Sequence, residues 1–262
     1  MVSAKRIVLM GDFHCGHVAG LTPPRFQGRH WEPKVEEFQK ESWGWFAREI
    51  DALRPIHAVI ANGDLVDGSG EATGGTEQLT TDRAVQVEMA VEVLKHINAC
   101  RYVMTFGTPY HCGKQEDFER QIAKDIGADI SDQLWPEVNG VVFDAKHYIS
   151  GSSIPHGRAT ALLREELWNL VWADNGDQPL GDFMIRSHVH YHAFTGRIRK
   201  ARPLWAITLP ALQAAGTKLG GRKYSGTVDF GFVHVDISSR GGATWLPHLK
   251  QLQTMKAEIL HL

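Results

Sequence analysis

Four apolar runs with the make-up of β-strands each stop at side chains carrying a carboxylate or an imidazole. Asp12 and His14 follow residues 6–10, Asp64 follows 57–61, the 107–111 turn follows 101–106, and His188 and His190 follow 183–185. Hard carboxylate oxygens and borderline imidazole nitrogens, delivered from separate strand ends to one edge of a sheet, suit a pair of divalent first-row ions better than an organic cofactor. The pattern constrains the fold to an α/β sheet with its site at the carboxyl edge, and the chemistry to metal-assisted reactions.

The segments between these strands agree with that fold. Val35, Phe38, Trp45, Phe46, Ile50 and Leu53 mark an amphipathic helix over 33–53, and Ala84, Val87, Ala90, Val91 and Leu94 mark another over 81–98. A third helix is expected over 115–126, then a hairpin turn at Asn139-Gly140 leading into 141–143, and a fourth helix over 158–173 with Leu162, Leu163, Leu167 and Val171 as its stripe. Beyond it the chain is mostly strand, at 183–185, 204–209, 232–237 and 244–246, so a second sheet should pack on the first with helices outside. Residues 1–248 are expected to form this domain, and 249–262, with Leu249, Leu252, Met255, Ile259 and Leu262 at helical spacing, a C-terminal amphipathic helix or tail. That helix should dock on its own domain, with a homo-oligomer contact as the alternative. Two Gly-rich loops, 67–76 and 216–226, read as connectors, or as a substrate lid.

Composition excludes several classes. The chain has 262 residues, 43% hydrophobic and 22% charged, which leaves little room for extended disorder. A net charge of −2 supplies no global field for a polyanion or an anionic membrane. Three cysteines, Cys15, Cys100 and Cys112, are too few for a disulfide framework, and no run is long enough for a signal-peptide core or a bilayer span. A cytoplasmic protein without membrane association is expected. The 14 histidines divide between ordinary patterns (His57, His96, His234, His248) and turns, where His17, His30 and His192 are expected in supporting or surface roles.

Taken in order, the turn elements resemble the calcineurin-like metallophosphoesterase superfamily. The matching segments are Gly11-Asp12-Phe13-His14, Gly63-Asp64-Leu65-Val66-Asp67-Gly68, Gly107-Thr108-Pro109-Tyr110-His111, a lone histidine between 147 and 156, and Ser187-His188-Val189-His190. The resemblance spans about two-thirds of the chain and implies a four-layered α/β/β/α sandwich of two mixed sheets with helices outside. It also implies a dinuclear centre in which Asp12, His14 and His190 hold one ion, His188 and the lone histidine hold the other, and Asp64 bridges both. A metal-bridging hydroxide would be the nucleophile, and manganese is the ion expected, with iron or zinc as alternatives. No Gly-x-Ser-x-Gly elbow and no Walker A loop competes with this reading.

The third element departs from the family, whose asparagine ligand is followed directly by histidine. Thr108 stands in that place and His111 comes three residues later, a form similar to that of phage and bacterial members. Thr108 is expected to orient a neighbour through its hydroxyl. His111 is assigned as the acid that protonates the leaving oxygen, with a ligand role for the second ion as the alternative. His147 is chosen as the lone ligand over His156 because a strand end fixes a side chain better than a loop does. His156 and Arg158 would then face the substrate, Arg158 through its planar fork.

The expected function is hydrolysis of phosphate esters by a phosphodiesterase or nuclease, on a phosphate-ester substrate that could be a nucleotide or nucleic acid. The basic segments 197–202 and 218–223 could line a groove for such a backbone, or be solvated loops. The alternatives are a phosphomonoesterase and a non-catalytic scaffold on the same fold.

Overall fold

The computed structural model of the chain describes residues 4–30, 32–114, 117–200, 202–215, 226–255 and 259–260. In chain order its elements are β1 (Lys5–Met10), α1 (Pro33–Leu53), β2 (Ala58–Asn62), α2 (Arg83–Ile97), β3 (Arg101–Thr105), α3 (Pro109–Cys112), α4 (Phe118–Ile126), β4 (Asp129–Ser131), β5 (Gln133–Leu134), β6 (Glu137–Val138), β7 (Val141–Lys146), α5 (Arg158–Asn175), β8 (Phe183–Arg186), β9 (Ala193–Arg199), β10 (Arg202–Thr208), β11 (Phe230–Ile237) and β12 (Ala243–Lys250).

The strands form two sheets. The first has the order β12-β11-β1-β2-β3-β4, with β1 to β4 parallel and β11 and β12 antiparallel; the second has the order β5-β7-β8-β10-β9, with β6 added on β7. Strands β7, β8 and β10 are mutually parallel neighbours.

Alternation along β1 shows why the layers stack as they do. Ile7 and Leu9 join Phe143, Phe183, Ile185 and Ile207 in a core between the sheets, whereas Val8 and Met10 join Phe38, Phe46, Val87 and Leu94 in a core under α1 and α2. Successive side chains of a strand point to opposite faces, so a central strand buried on both faces needs an unbroken apolar run, which 7–10 supplies. Across the second sheet, Met184, Leu204 and Ala206 pack against Ala161 and Leu162 of α5. The result is the expected α/β/β/α sandwich of two mixed sheets. Each large apolar side chain in these cores contributes about 1.5–3 kcal/mol relative to exposure.

Carboxyl ends of β1, β2 and β3 from one sheet, and of β7 and β8 from the other, lie on the same edge, and every ligand candidate follows one of them. The Asn139-Gly140 hairpin is present between β6 and β7, with both residues at positive φ, 49° and 80°.

Differences from expectation are local. Residues 249–250 are not the start of a helix: Leu249 pairs with Gly231 and Lys250 with Phe230 at the end of β12, because ladder hydrogen bonding extends one strand beyond its apolar run. The chain then docks on α1, where the Gln253 and Thr254 amides donate to Glu41 and Leu252 is buried. Of the expected C-terminal stripe, Leu262 lies outside the described residues, as does the 218–223 basic segment. No helix among the described residues is long and apolar enough to cross a membrane.

Candidate metal centre

The two pairs of ligand candidates, Asp12 with His14 and His188 with His190, do not lie on extended backbone. Asp12 (φ 51°), His14 (46°), Asp64 (53°), His188 (72°) and His190 (56°) are all left-handed. Each such non-glycine residue costs about 1–2 kcal/mol, and strain of this kind persists where the surrounding structure imposes it. Here the imposing contacts are the continued β1–β2 ladder, in which the Asp12 amide donates to the Gly63 carbonyl at 2.9 Å and the His14 amide to the Asp64 carbonyl at 3.0 Å. The chain turns sharply at each strand end and aims alternate side chains inward.

Three groups of donors result: Asp12, His14 and His190; Asp64, His147 and His188; and His14, Asp64 and His111, with the donor atoms of each group within 4.8 Å of one another. In the first, His190 Nε2 lies 3.3 Å from Asp12 Oδ1 and 3.2 Å from His14 Nε2. In the second, His147 Nε2 lies 3.1 Å from Asp64 Oδ2. His147 is therefore beside the bridging candidate.

The donors are prepared by their neighbours. His14 Nδ1 is 2.8 Å from Asp67 Oδ1, and His147 Nδ1 is 2.7 Å from the Asn62 carbonyl. With those nitrogens tied to their neighbours, Nε2 of each ring is the nitrogen left for the candidate centre, the arrangement that orients histidine ligands. Burial, followed by the nearby His111, lowers His14 to about 4 and keeps it neutral even though Asp67 acts in the other direction. Burial opposes protonation of His147 too, but the facing Asp64 carboxylate outweighs it and raises this imidazole to about 10. Asp64 itself is held well below the usual carboxylate range, His147 outweighing its burial.

Asp12 Oδ2 accepts from the His188 amide at 3.2 Å, yet Asp12 Oδ1 and His147 Nε2 are buried without a hydrogen bond among the described residues. Their close contacts are instead His190 Nε2, 3.3 Å from Asp12 Oδ1, and Asp64 Oδ2, 3.1 Å from His147 Nε2. A buried donor set of mixed oxygen and nitrogen atoms fits divalent first-row ions.

The third element behaves differently from the rest. The Thr108 amide donates to Asp64 Oδ1 at 2.7 Å, and its hydroxyl reaches the same oxygen at 3.1 Å, so Thr108 orients the carboxylate. His111 Nδ1 donates to the Asp67 carbonyl at 2.8 Å, and its ring meets that of His14 edge-on at 4.5 Å. His111, Tyr110, His17, Glu77, Gln78 and Gln213 line a cleft of about 390 Å³ together with His14, Asp64, His188 and His190.

His156 and Arg158 do not line that cleft. His156 is exposed, whereas Arg158 lies over the Tyr191 ring at 4.2 Å and donates to Thr227 at 3.0 Å. The basic 197–202 segment forms the end of the β9–β10 hairpin. Arg197 pairs with Glu166 at 2.5 Å, Arg199 with Asp174 at 3.2 Å, and Arg202 with Asp182.

Sequence reasoning missed Asp67, Asn62 and Glu119 as supports. Asp67 was visible three residues after Asp64 in the same turn. Asn62 and Glu119 act through hydrogen bonds that carry no periodic signal.

No protein-family model and no curated protein sequence matches the chain. Among solved structures, an archaeal phosphodiesterase is similar at 14% identity with a TM-score of 0.45, covering 93% of this chain and 99% of that one. Vps29 from Entamoeba histolytica, complexed with zinc, is similar at 13% identity and a TM-score of 0.39, covering 93% of this chain and 98% of the other. The NAD nucleotidase NadN of Haemophilus influenzae is similar at 11% identity and a TM-score of 0.46, over 95% of this chain and 51% of that protein. At these levels, the functional reading rests on the site's own geometry.

Proposed function

We propose that the chain is a dinuclear metal-dependent phosphoesterase of the calcineurin-like superfamily, acting on phosphodiesters. The observation that carries this reading is the sharing of Asp64 between two donor groups, one with His147 and His188 and one with His14 and His111, while His14 also belongs to a third group with Asp12 and His190. Asp12, His14 and His190 would hold one ion, His147 and His188 the other, and Asp64 both. When bound, two such ions activate water near neutral pH and neutralise charge on a phosphoryl group under in-line attack. Manganese is the proposed metal, with iron or zinc as alternatives.

The chain's own residues would do the rest. Thr108 fixes the Asp64 carboxylate, and Asp67 fixes both His14 and His111. With Nδ1–H held by the Asp67 carbonyl, His111 leaves Nε2 as the nitrogen that can pass a proton to the leaving oxygen. The cleft lining carries no lysine or arginine among the described residues, and the arginines of 197–202 are paired within the domain. Those facts favour a small diester over a long nucleic acid, whose adjacent phosphates need basic partners.

The test is a panel of phosphate mono- and diesters with single- and double-stranded DNA and RNA, supplied with manganese and run beside Asp64→Asn. Diester cleavage lost in the variant is expected. Monoester turnover alone would assign a phosphomonoesterase, and equal activity in both proteins would remove Asp64 from its role. Inactivity across the panel would favour the scaffold alternative.

A further inference from the structure

Glu119 lies in the first turn of α4, fully buried, and takes no part in the donor groups described above. Its Oε1 accepts from the Leu65 amide at 2.8 Å; its Oε2 accepts from the Gly107 amide at 2.6 Å and from the Cys112 thiol at 3.0 Å. Leu65 directly follows Asp64, and Gly107 directly precedes Thr108, whose amide and hydroxyl hold Asp64 Oδ1. One carboxylate therefore ties together the two turns that meet at Asp64, from the side away from the cleft.

Contact between those turns leaves no slack. A Cβ on Gly107 would lie 2.2 Å from Asp64 Oδ1 and 2.3 Å from the Asp64 nitrogen. Glu119 has no ion-pair partner among the described residues, only neutral donors. A buried carboxylate without a cation is a costly way to fill a core position, and an apolar residue there would ordinarily serve stability better. Its geometry matches a different use, the fixing of two backbone amides on either side of one carboxylate.

We infer that Glu119 is a positioning residue for Asp64, setting the register between the 64–65 and 107–108 turns on which the metal centre depends. The inference rests on the reading of Asp64 as a ligand. A glutamine at 119 keeps the volume but offers only one oxygen, and its NH2 group must face an amide N–H that the carboxylate now accepts. Supports of this kind govern metal affinity by roughly 10–100-fold.

The experiment is a manganese titration by calorimetry on the full chain, for the wild type, Glu119→Gln and, as a control, Glu166→Gln. Glu166 is a buried carboxylate of α5 whose partners, Thr195 and Arg197, lie away from the cleft. Glu119→Gln is expected to bind at least one manganese ion about tenfold more weakly and to lose kcat by a similar factor with KM within about twofold, whereas Glu166→Gln lowers Tm with both quantities unchanged. If Glu119→Gln does not fold, Glu119→Asp is read in the same way, since the shorter side chain keeps the charge but cannot span both amides. Unchanged manganese affinity and kcat in the folded variant overturn the inference, as does an equal loss in Glu166→Gln. A wild type that takes up no manganese overturns the reading of the metal centre itself, and this inference with it.

Discussion

Thr108 holds both oxygens of Asp64: its amide donates to Oδ1 at 2.7 Å, and its hydroxyl lies 3.1 Å from Oδ1 and 3.2 Å from Oδ2. Thr108 thus holds the carboxylate that two of the donor groups share. Asp64 Oδ2 also lies 3.1 Å from His147 Nε2. Thr108 therefore orients the carboxylate proposed as the bridge and belongs to none of the three donor groups.

Gly107 carries the closest packing on that carboxylate. Gly107→Ala should lower stability by about 1–3 kcal/mol through overpacking and reduce activity beyond what the lost stability explains. Thermal melts and initial rates on the same preparation check this, and a variant with wild-type Tm would show that the turn has room to yield.

His111 separates two roles by their signatures. If it is the acid, His111→Gln lowers kcat by about 10²–10⁴-fold and leaves manganese content unchanged. Loss of one ion from the variant would instead make His111 a ligand, as its proximity to His14 and Asp64 permits.

Arg158 reaches the site only through Tyr191, the neighbour of His190. Arg158→Ala should therefore keep kcat/KM within about threefold, the scale of an ordinary surface substitution. A large rise in KM would return Arg158 to the substrate.

Away from the site, burial and then the facing His248 lower the pKa of His234, whose Nδ1 lies 2.7 Å from His248 Nε2. Below about pH 6.5 the unfolded chain takes up a proton on this residue that the folded chain resists until its lowered pKa is reached. Its contribution is thus present above that pH and lost as pH falls. Urea midpoints at pH 8 and 5.5 should fall further in the wild type than in His234→Gln, by on the order of 0.2 M. An equal fall in both would place the pH sensitivity elsewhere.

Much of the fold was legible because its central strands are buried on both faces. Runs such as 7–10 and 183–185 read as buried strands, and the α1 stripe gave the boundaries Pro33–Leu53 found in the structure. Strand β9 was not legible: at the sheet edge, its Thr195, Gly196, Arg197 and Arg199 lack the pattern of a strand, and its pairing with β10 defines it. At the site, residue type and order located the ligand candidates, but the backbone geometry that aims them was not legible. Left-handed turns aim Asp12, His14, His188 and His190, and no alternation in sequence encodes them. Glu119 was invisible because its effect runs through backbone amides of two other segments.

The central claim, that these strand ends hold two ions through a shared Asp64, is tested most directly by counting metal. Wild type and Asp64→Asn should be loaded with manganese, desalted and measured by elemental analysis against protein concentration. The account predicts about two ions per wild-type chain and one or fewer in the variant. A folded wild-type chain that retains no metal, or a variant that retains as much as the wild type, would contradict it.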